Sequence, residues 1–262
     1  MPTLRQIADA VEAFAPREFQ ESYDNAGIQV GDPDMEITGM LIALDVTEDV
    51  LEEAIQRGCN MILSHHPLLF HGLKQIVGAS PAQRIVASAI RNNIAIYAAH
   101  TNLDATWEGV SYEMAHMLDL RELQPLEPRK DAPRIGLGIV GNLKRPMPVM
   151  EFLRHVKETF DVRGLRFSSQ SPQLVVRRVA ACGGAGASLI PEAIASGADI
   201  YLTGDLKYHD YTTYASDIVL TDVGHYESEI CSRHIFARIL KDNFPNLTAY
   251  LSETDKNPIG SL

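Results

Sequence analysis

The stretch Met61-Ile62-Leu63-Ser64-His65-His66-Pro67 decides how this 262-residue chain is organised. Its apolar first half predicts a buried strand, and that strand ends at two adjacent histidines and a proline. Neighbouring strand side chains point to opposite faces, but past the strand end both histidines can reach the carboxyl edge of the sheet. Open α/β sheets bind ligands at that edge, and neutral imidazoles bind Zn, Fe or Mn, so we predict a metal site. The alternative is a pair of capping or core histidines, which is the simpler interpretation of this pair alone.

Strands and helices alternate on both sides of this stretch. Residues 40–44 predict a strand, and residues 48–56 predict a helix that begins after a capping threonine. Beyond the histidines, residues 80–92 predict a helix with proline at its first position, and residues 94–98 predict another strand. This alternation is typical of a parallel sheet whose two faces are covered by helices.

The second half of the chain repeats the same alternation. Residues 125–133 contain three prolines among charged residues, which predicts a linker. We therefore expect two linked α/β domains, at residues 1–124 and 134–262, with largely parallel or mixed sheets covered by helices. We expect a shared metal site in the cleft at the strand ends, to which the second domain contributes.

Composition narrows the class of protein. A hydrophobic content of 45% with 22% charged residues is ordinary for a soluble globular chain, and no apolar run reaches the ~20 residues of a membrane span. Three distant cysteines favour reduced thiols, and the start of the chain lacks the pattern of a signal peptide, so we expect a cytoplasmic location. A net charge of -11 argues against a nucleic-acid-binding protein, although residues 134–178 carry nine Arg or Lys against three Asp or Glu.

Residues of types that commonly bind metal ions follow three separate predicted strands. They are His65 and His66, then His100 and Asp104, then His225 and Glu229. In both later pairs the residues are four apart, so one helical turn places them on one face. Nitrogen and oxygen ligands without thiolate suit Zn, Mn or Fe, and their number exceeds what one catalytic zinc takes, which favours two metal ions. The alternative is that Asp104 caps a helix and Glu229 complements a helix dipole.

Other residues give weaker indications of chemistry. The loop 183–188 can present backbone N–H groups of Gly183, Gly184 and Gly186 to a phosphate, or it can simply turn tightly. Candidates for proton transfer or phosphate contact are Asp205, Lys207 and His209. We expect Cys182, beside this loop, to be a small buried residue rather than a nucleophile.

Several blocks of this sequence resemble one known family. They are Ser64-His65-His66-Pro67-Leu68-Leu69-Phe70, Ala99-His100-Thr101-Asn102-Leu103-Asp104, Leu202-Thr203-Gly204-Asp205-Leu206-Lys207-Tyr208-His209 and Gly224-His225-Tyr226-Glu227-Ser228-Glu229, with Tyr23-Asp24-Asn25-Ala26-Gly27 and Gly183-Gly184-Ala185-Gly186. Together they are similar to the signature blocks of the GTP cyclohydrolase 1 type 2 family of dinuclear metal centre proteins. The blocks span nearly the whole chain in the family's order.

This resemblance implies a metal-binding hydrolase. It implies two divalent metal ions per chain, held by His65, His66, Asp104, His225 and Glu229, with His100 beside them. It also implies a ring-shaped homohexamer, a short form that lacks an inserted middle domain, and hydrolytic opening of a small anionic, nucleotide-like heterocycle. The alternative is a non-catalytic regulatory or scaffold protein whose ions shape a surface for a partner.

Overall fold

The structure is a computed structural model that describes residues 1–168 and 173–260. Its strands are β1 (Gly27–Val30), β2 (Gly39–Ala43), β3 (Met61–Ser64), β4 (Ala95–Ala98), β5 (Arg121–Pro128), β6 (Gly136–Pro148), β7 (Arg166–Phe167), β8 (Val175–Ala181), β9 (Ile200–Thr203), β10 (Val219–Asp222) and β11 (Thr248–Leu251). Its helices are α1 (Leu4–Phe14), α2 (Glu48–Gln56), α3 (Pro81–Arg91), α4 (Thr101–Ala105), α5 (Val110–Met117), α6 (Val149–Thr159), α7 (Ile190–Ala195), α8 (Tyr208–Tyr214), α9 (His225–Glu229) and α10 (Ser232–Asn243).

The first of two units comprises residues 1–103 and 232–256. Its five-stranded sheet has the order β1-β4-β3-β2-β11, in which only β1 runs antiparallel to its neighbour. Every residue of β2, β3 and β4 is buried, as expected for central parallel strands with both faces covered. Helices α2 and α3 pack against this sheet over an apolar core, and α1 packs against α10.

The second unit comprises residues 104–231 and, in the described part of the chain, 257–260. Its six-stranded sheet has the order β5-β6-β8-β9-β10-β7. The central strands β8, β9 and β10 are parallel, whereas β5, β6 and β7 pair antiparallel with their neighbours. One apolar core includes residues of α5 and α6, and another includes residues of α7. The predicted class of two α/β units with mixed sheets is therefore confirmed.

The unit boundaries differ from the predicted domains. Residues 121–128 form β5 at the edge of the second sheet, so the first four residues of the expected linker at 125–133 belong to a strand. Prolines are tolerated there because an edge strand leaves N–H positions without a ladder partner. The C-terminal segment does not stay with the second unit, since β11 pairs in parallel with β2 and extends the first sheet.

The N-terminal caps of two helices lie where the sequence predicts them. Thr47 caps α2 by accepting a hydrogen bond from the N–H of Val50, and Ser80 caps α3, which has proline at its first position. Within residues 1–168 and 173–260, every helix is too short or too polar to cross a bilayer.

Candidate functional site

Three histidines of the first unit lie together beyond the ends of two neighbouring parallel strands. His65 and His66 directly follow β3, and His100 follows β4, whose last residue is paired with the last residue of β3. The ring centroids are 5.1, 5.3 and 5.5 Å apart, and one nitrogen from each ring lies within 4.8 Å of the others. We call these three residues the histidine triad. The predicted convergence at the carboxyl edge is therefore present in this sheet.

Each ring of the triad has its Nδ1 atom fixed by an oxygen. The partners are the Ala99 carbonyl oxygen for His65 at 2.9 Å, Asp45 Oδ1 for His66 at 2.8 Å, and Asp24 Oδ1 for His100 at 2.8 Å. A carbonyl or carboxylate oxygen accepts, so Nδ1 donates its hydrogen and the neutral ring keeps its lone pair on Nε2. Metal-binding histidines are oriented in this way by the oxygen that holds the other nitrogen.

Asp24 is itself held in the anionic state. Burial alone would raise its pKa, but hydrogen bonds with His100 and Thr101 outweigh burial and lower the pKa to about 2. The N–H and the hydroxyl of Thr101 both donate to Oδ2 of Asp24. The sequence block around Asp24 has no predicted role, and Asp45 is absent from the predicted site residues. The position of Asp45, two residues after β2, was the available signal, because parallel strands end at one edge.

The second unit contributes Asp104, His225 and Glu229, which we call the mixed set. His225 and Glu229 lie one turn apart in α9, with Nε2 of the histidine 3.0 Å from Oε2 of the glutamate. A carboxylate oxygen of Asp104 lies within 4.8 Å of one of Glu229, and both residues are buried. Asp205 Oδ2 holds Nδ1 of His225 at 2.8 Å, so this imidazole is oriented like those of the triad. The predicted one-turn spacing therefore does place His225 and Glu229 on one face.

Asp222, which is also absent from the predicted site residues, joins the two loops that carry Asp205 and His225. It is buried at the end of β10, where Oδ2 accepts from the N–H of Leu206 at 3.2 Å and Oδ1 from the N–H of Gly224 at 3.0 Å. Those two residues directly follow Asp205 and directly precede His225. One carboxylate therefore fixes the backbone on both sides of the Asp205–His225 hydrogen bond.

The glycine loop packs around Glu229. A Cβ atom on Gly184, whose φ is +61°, would lie 2.1 Å from Oε1 of Glu229. The N–H groups of the three glycines donate to hydroxyl oxygens: Gly183 to Ser111 at 3.5 Å, Gly184 to Ser228 at 3.0 Å and Gly186 to Thr203 at 2.9 Å. These contacts support the alternative of tight packing and do not support a role as a phosphate cradle.

The remaining candidates of the second unit have local contacts. The His209 ring packs against Tyr208 at a centroid distance of 5.4 Å, and the backbone N–H of Lys207 donates to Asp210. Both side chains are exposed on or beside α8, and their participation in proton transfer or phosphate contact stays a prediction.

Cys182 is buried, as the sequence analysis expected. Burial, together with the nearby carboxylates of Asp104 and Glu229, raises its pKa to about 12. The thiol is therefore protonated at neutral pH, and a nucleophilic role is disfavoured.

The donor chemistry of both units fits divalent metal ions. The triad offers three imidazoles whose Nδ1 atoms lie on an oxygen. The mixed set offers one further imidazole of this kind and two buried carboxylates. Two ionised carboxylates close together in a protein interior repel each other, and a divalent cation removes that repulsion. Nitrogen and oxygen donors of this kind suit Zn, Mn or Fe.

Comparisons with known proteins agree with the resemblance noted in the sequence. The chain matches the Duf34/NIF3 (NGG1p interacting factor 3) family over residues 2–258. A GTP cyclohydrolase 1 type 2 homolog of Streptococcus pneumoniae is 36% identical over 225 residues, which cover 84% of each chain. The homolog of that name in Bacillus subtilis is 26% identical over 367 residues, covering 98% of each chain, so it contains a segment that this shorter chain lacks.

The fold comparison points the same way. A Bacillus cereus protein related to NIF3 superposes with a TM-score of 0.91 at 25% identity, covering 100% of this chain and 99% of the other. The match over residues 2–258 and the identity above 30% to a relative of similar length establish the family. The chain is a short member of the Duf34/NIF3 family, whose curated relatives include the GTP cyclohydrolase 1 type 2 homologs.

Proposed function

We propose that this protein binds two divalent metal ions per chain and uses them in a hydrolytic reaction. The proposed ligands are His65, His66, Asp104, His225 and Glu229. The observation that carries the proposal is the fixation of every Nδ1 atom in the triad and the mixed set by an oxygen. Metal-binding histidines typically donate their other ring N–H to an oxygen, so this function explains why all four rings share one orientation. Packing of histidines in a core does not require it.

The residues of each unit have separate tasks in this proposal. Nε2 of His65, His66 and His225 supplies nitrogen lone pairs, and Asp104 and Glu229 supply the negative charge that offsets the ions. Asp45 and Asp205 keep His66 and His225 in the required tautomer and make their nitrogens more basic. When bound, divalent ions polarise a substrate and make a water molecule more acidic.

His100 is proposed to support the triad rather than to act as a main ligand. Its Nδ1 is held by Asp24, and its ring lies 5.3 Å from that of His65. A neutral imidazole in this position can take up or release a proton during hydrolysis.

The substrate class is proposed from the relatives. Their name, GTP cyclohydrolase 1 type 2 homolog, refers to hydrolytic ring opening of a nucleotide. We therefore propose a small, anionic, nucleotide-like heterocycle as the substrate and a ring-shaped homohexamer as the assembly. Light scattering that gives a particle near the chain mass of 28.9 kDa over a range of concentrations would contradict the hexamer.

Metal content tests the first part of the proposal. Elemental analysis of gently purified protein should give two ions per chain, and Glu229→Gln should lose at least one ion or bind it far more weakly. Glu227→Gln is the matched control in the same helix. Glu227 accepts from Asn257 at 2.8 Å, and glutamine keeps an acceptor oxygen there. Equal zinc or manganese affinities for the two variants would remove Glu229 from the proposed ligands.

Turnover tests the second part. The two-ion protein is incubated with GTP and related nucleotides, and loss of the heterocycle's ultraviolet absorption is followed together with metal content. We expect ring opening that Glu229→Gln abolishes and Glu227→Gln retains. Full metal occupancy without turnover of any nucleotide would support the non-catalytic alternative that the sequence analysis left open.

A further inference from the structure

Two exposed aromatic side chains lie beside the histidine triad. Tyr23 is 62% exposed and Phe70 is 39% exposed, although both carry large aromatic rings. Their centroids are 6.4 Å apart, and the Phe70 ring lies 6.1 Å from that of His100 at an interplanar angle of 81°. His71 adds a further ring at 5.0 Å from Phe70. A row of rings therefore leads from solvent to a histidine whose Nδ1 is fixed.

Hydrogen bonds join the loops that carry these rings. Asn25 donates through Nδ2 to the carbonyl oxygen of Leu69 at 2.7 Å, and the N–H of Leu69 donates to Oε1 of Gln29 at 3.1 Å. Asn25 and Leu69 are close neighbours of Tyr23 and Phe70 in sequence. The side chains of Asn25 and Gln29 therefore hold the backbone of Leu69, so the two ring-bearing loops are joined before any ligand binds. This lowers the entropic cost of ordering the loops when a ligand binds.

Exposure of two adjacent aromatic rings needs an explanation, because transfer of such rings from water to a protein interior is favourable. Aromatic faces are suited to stacking with planar rings, and they do so with little dependence on the identity of the base. The Phe70 ring contacts His100 of the histidine triad, whose other two members are proposed ligands of metal ions that would attract anionic groups. A ligand that has both a planar ring and an anionic part matches this combination.

We propose that Tyr23 and Phe70 form a stacking platform for the planar heteroaromatic ring of the substrate. This inference rests on the proposed metal-dependent function and specifies how that site recognises a ring. The rings would bind the heterocycle, while the ions near the triad attract its anionic part. Phe70 is then a specificity-determining residue that contacts substrate, and it is not a metal ligand.

Calorimetric titration of the metal-loaded 262-residue chain tests this inference. The probes are GTP, ATP and inorganic triphosphate, of which the last has no ring. We expect Phe70→Leu and Tyr23→Leu to weaken binding of the nucleotides by roughly tenfold, since loss of a stacked aromatic partner typically has effects of this size. Binding of triphosphate should remain unchanged, and so should the metal content.

Two further variants control for exposure and for shape. Tyr250→Leu removes a ring that is also 39% exposed in the same unit but lies over Arg57, and it should leave nucleotide binding unchanged. Phe70→Trp keeps an aromatic face and should retain nucleotide binding. Made in a Trp107→Phe background, it also provides the sole tryptophan of the chain, whose fluorescence should fall when a base stacks on it.

Distinct outcomes separate failure of this inference from failure of the proposed function. Metal content near zero in the wild-type protein, measured first, would overturn both. Two bound ions with nucleotides bound no better than triphosphate, or bound equally by wild type and Phe70→Leu, would overturn the platform alone. So would a change of oligomeric state in Phe70→Leu or Tyr23→Leu seen by light scattering, because the rings would then belong to an interface between chains.

Discussion

Replacement of Gly184 by alanine should separate the ligand role of Glu229 from the general stability of the fold. A Cβ atom at Gly184 would lie 2.1 Å from Oε1 of Glu229, a side chain that is only 4% exposed. Ordinary contact begins near 3.4 Å, so the carboxylate or the loop must move by about 1.3 Å, the difference between these distances. Gly184 also has a φ of +61°, which an alanine adopts at a cost of about 1–2 kcal/mol.

The size of this displacement decides what happens to metal binding. Distances between ligands and metal ions are kept within roughly 0.2 Å in protein sites, far less than the required movement. Loss of an orienting partner alone lowers metal affinity by about 10–100-fold, so displacement of a ligand should lower it by roughly 100-fold or more. The free energy of unfolding of the metal-free protein should fall by the cost of placing alanine at a positive φ. Any steric strain that the movement of Glu229 does not relieve should lower it further.

Gly197→Ala is the matched control for Gly184→Ala. Gly197 lies in the same unit with a φ of +75°, and a Cβ atom there meets no other heavy atom within 4 Å. Both variants therefore carry the backbone cost, and only Gly184→Ala displaces Glu229. Urea unfolding of the metal-free proteins gives the free energy of unfolding, and titration with zinc or manganese gives the metal affinity. Equal metal affinities for the two alanine variants would refute the ligand role of Glu229.

Three further predictions concern other contacts of the two units. Asp45→Asn should weaken binding of one metal ion by about 10–100-fold in a zinc titration, because His66 loses the anion that orients its ring. Glu53→Gln should lower the free energy of unfolding at pH 7 by roughly 2 kcal/mol in urea, since the buried carboxylate accepts hydrogen bonds from residues 252–254. In the native protein at pH 8, Cys182 should not react with a thiol reagent, because burial raises its pKa to about 12.

The contribution of Glu53 to the free energy of unfolding should decrease as the pH is lowered. Burial would raise its pKa, but hydrogen bonds from Ser252, Thr254 and the backbone of Glu253 outweigh burial and lower the pKa to about 2 from 4.5. A lowered folded-state pKa stabilises the fold above pH 4.5, and that stabilisation is lost as the pH falls toward 2. The difference in unfolding free energy between wild type and Glu53→Gln should therefore shrink over this range. A difference that is constant with pH would contradict this explanation.

The predictions for Asp45→Asn and for the reactivity of Cys182 each have a control. Asp49→Asn changes an exposed carboxylate in the first turn of α2 and should keep the metal affinity that Asp45→Asn loses. All three cysteines of the chain are buried, so a thiol that reacts before unfolding in denaturant would contradict the prediction for Cys182.

Signals between residues close in sequence predicted much of the fold. The caps of α2 and α3 depend on a side chain and an N–H three residues away, so Thr47 and Ser80 are sufficient to predict them. The one-turn pairing of His225 and Glu229 is equally local. The proposed metal ligands could be predicted for similar reasons, because His65 and His66 directly follow an apolar strand and Asp104 and Glu229 each lie four residues after a histidine.

Contacts between distant residues could not be predicted in this way. Pairing of β11 with β2 joins segments about 200 residues apart, and no local pattern in β11 identifies its partner. Edge strand β5 contains prolines, which in sequence are equally typical of a linker. The acceptor role of Asp45 depends on which strand lies beside β3, and the role of Asp222 depends on two loops that meet only in the folded sheet.

The orientation of His66 and of His225 follows from parallel strand pairing within each unit. Ala43 at the end of β2 is paired with Ser64 at the end of β3, so Asp45 and His66, each two residues further on, come to the same level. In the second sheet, Thr203 at the end of β9 is paired with Asp222 of β10, and Asp205 then meets His225. An aspartate just past one strand thus orients a histidine just past its parallel neighbour. Strand register therefore brings an aspartate to a histidine in each sheet, and in the second sheet Asp222 also fixes the backbone beside both residues. His65 and His100 are oriented by other oxygens, those of the Ala99 carbonyl and Asp24, so an aspartate after the neighbouring strand predicts the orientation of His66 and His225 only.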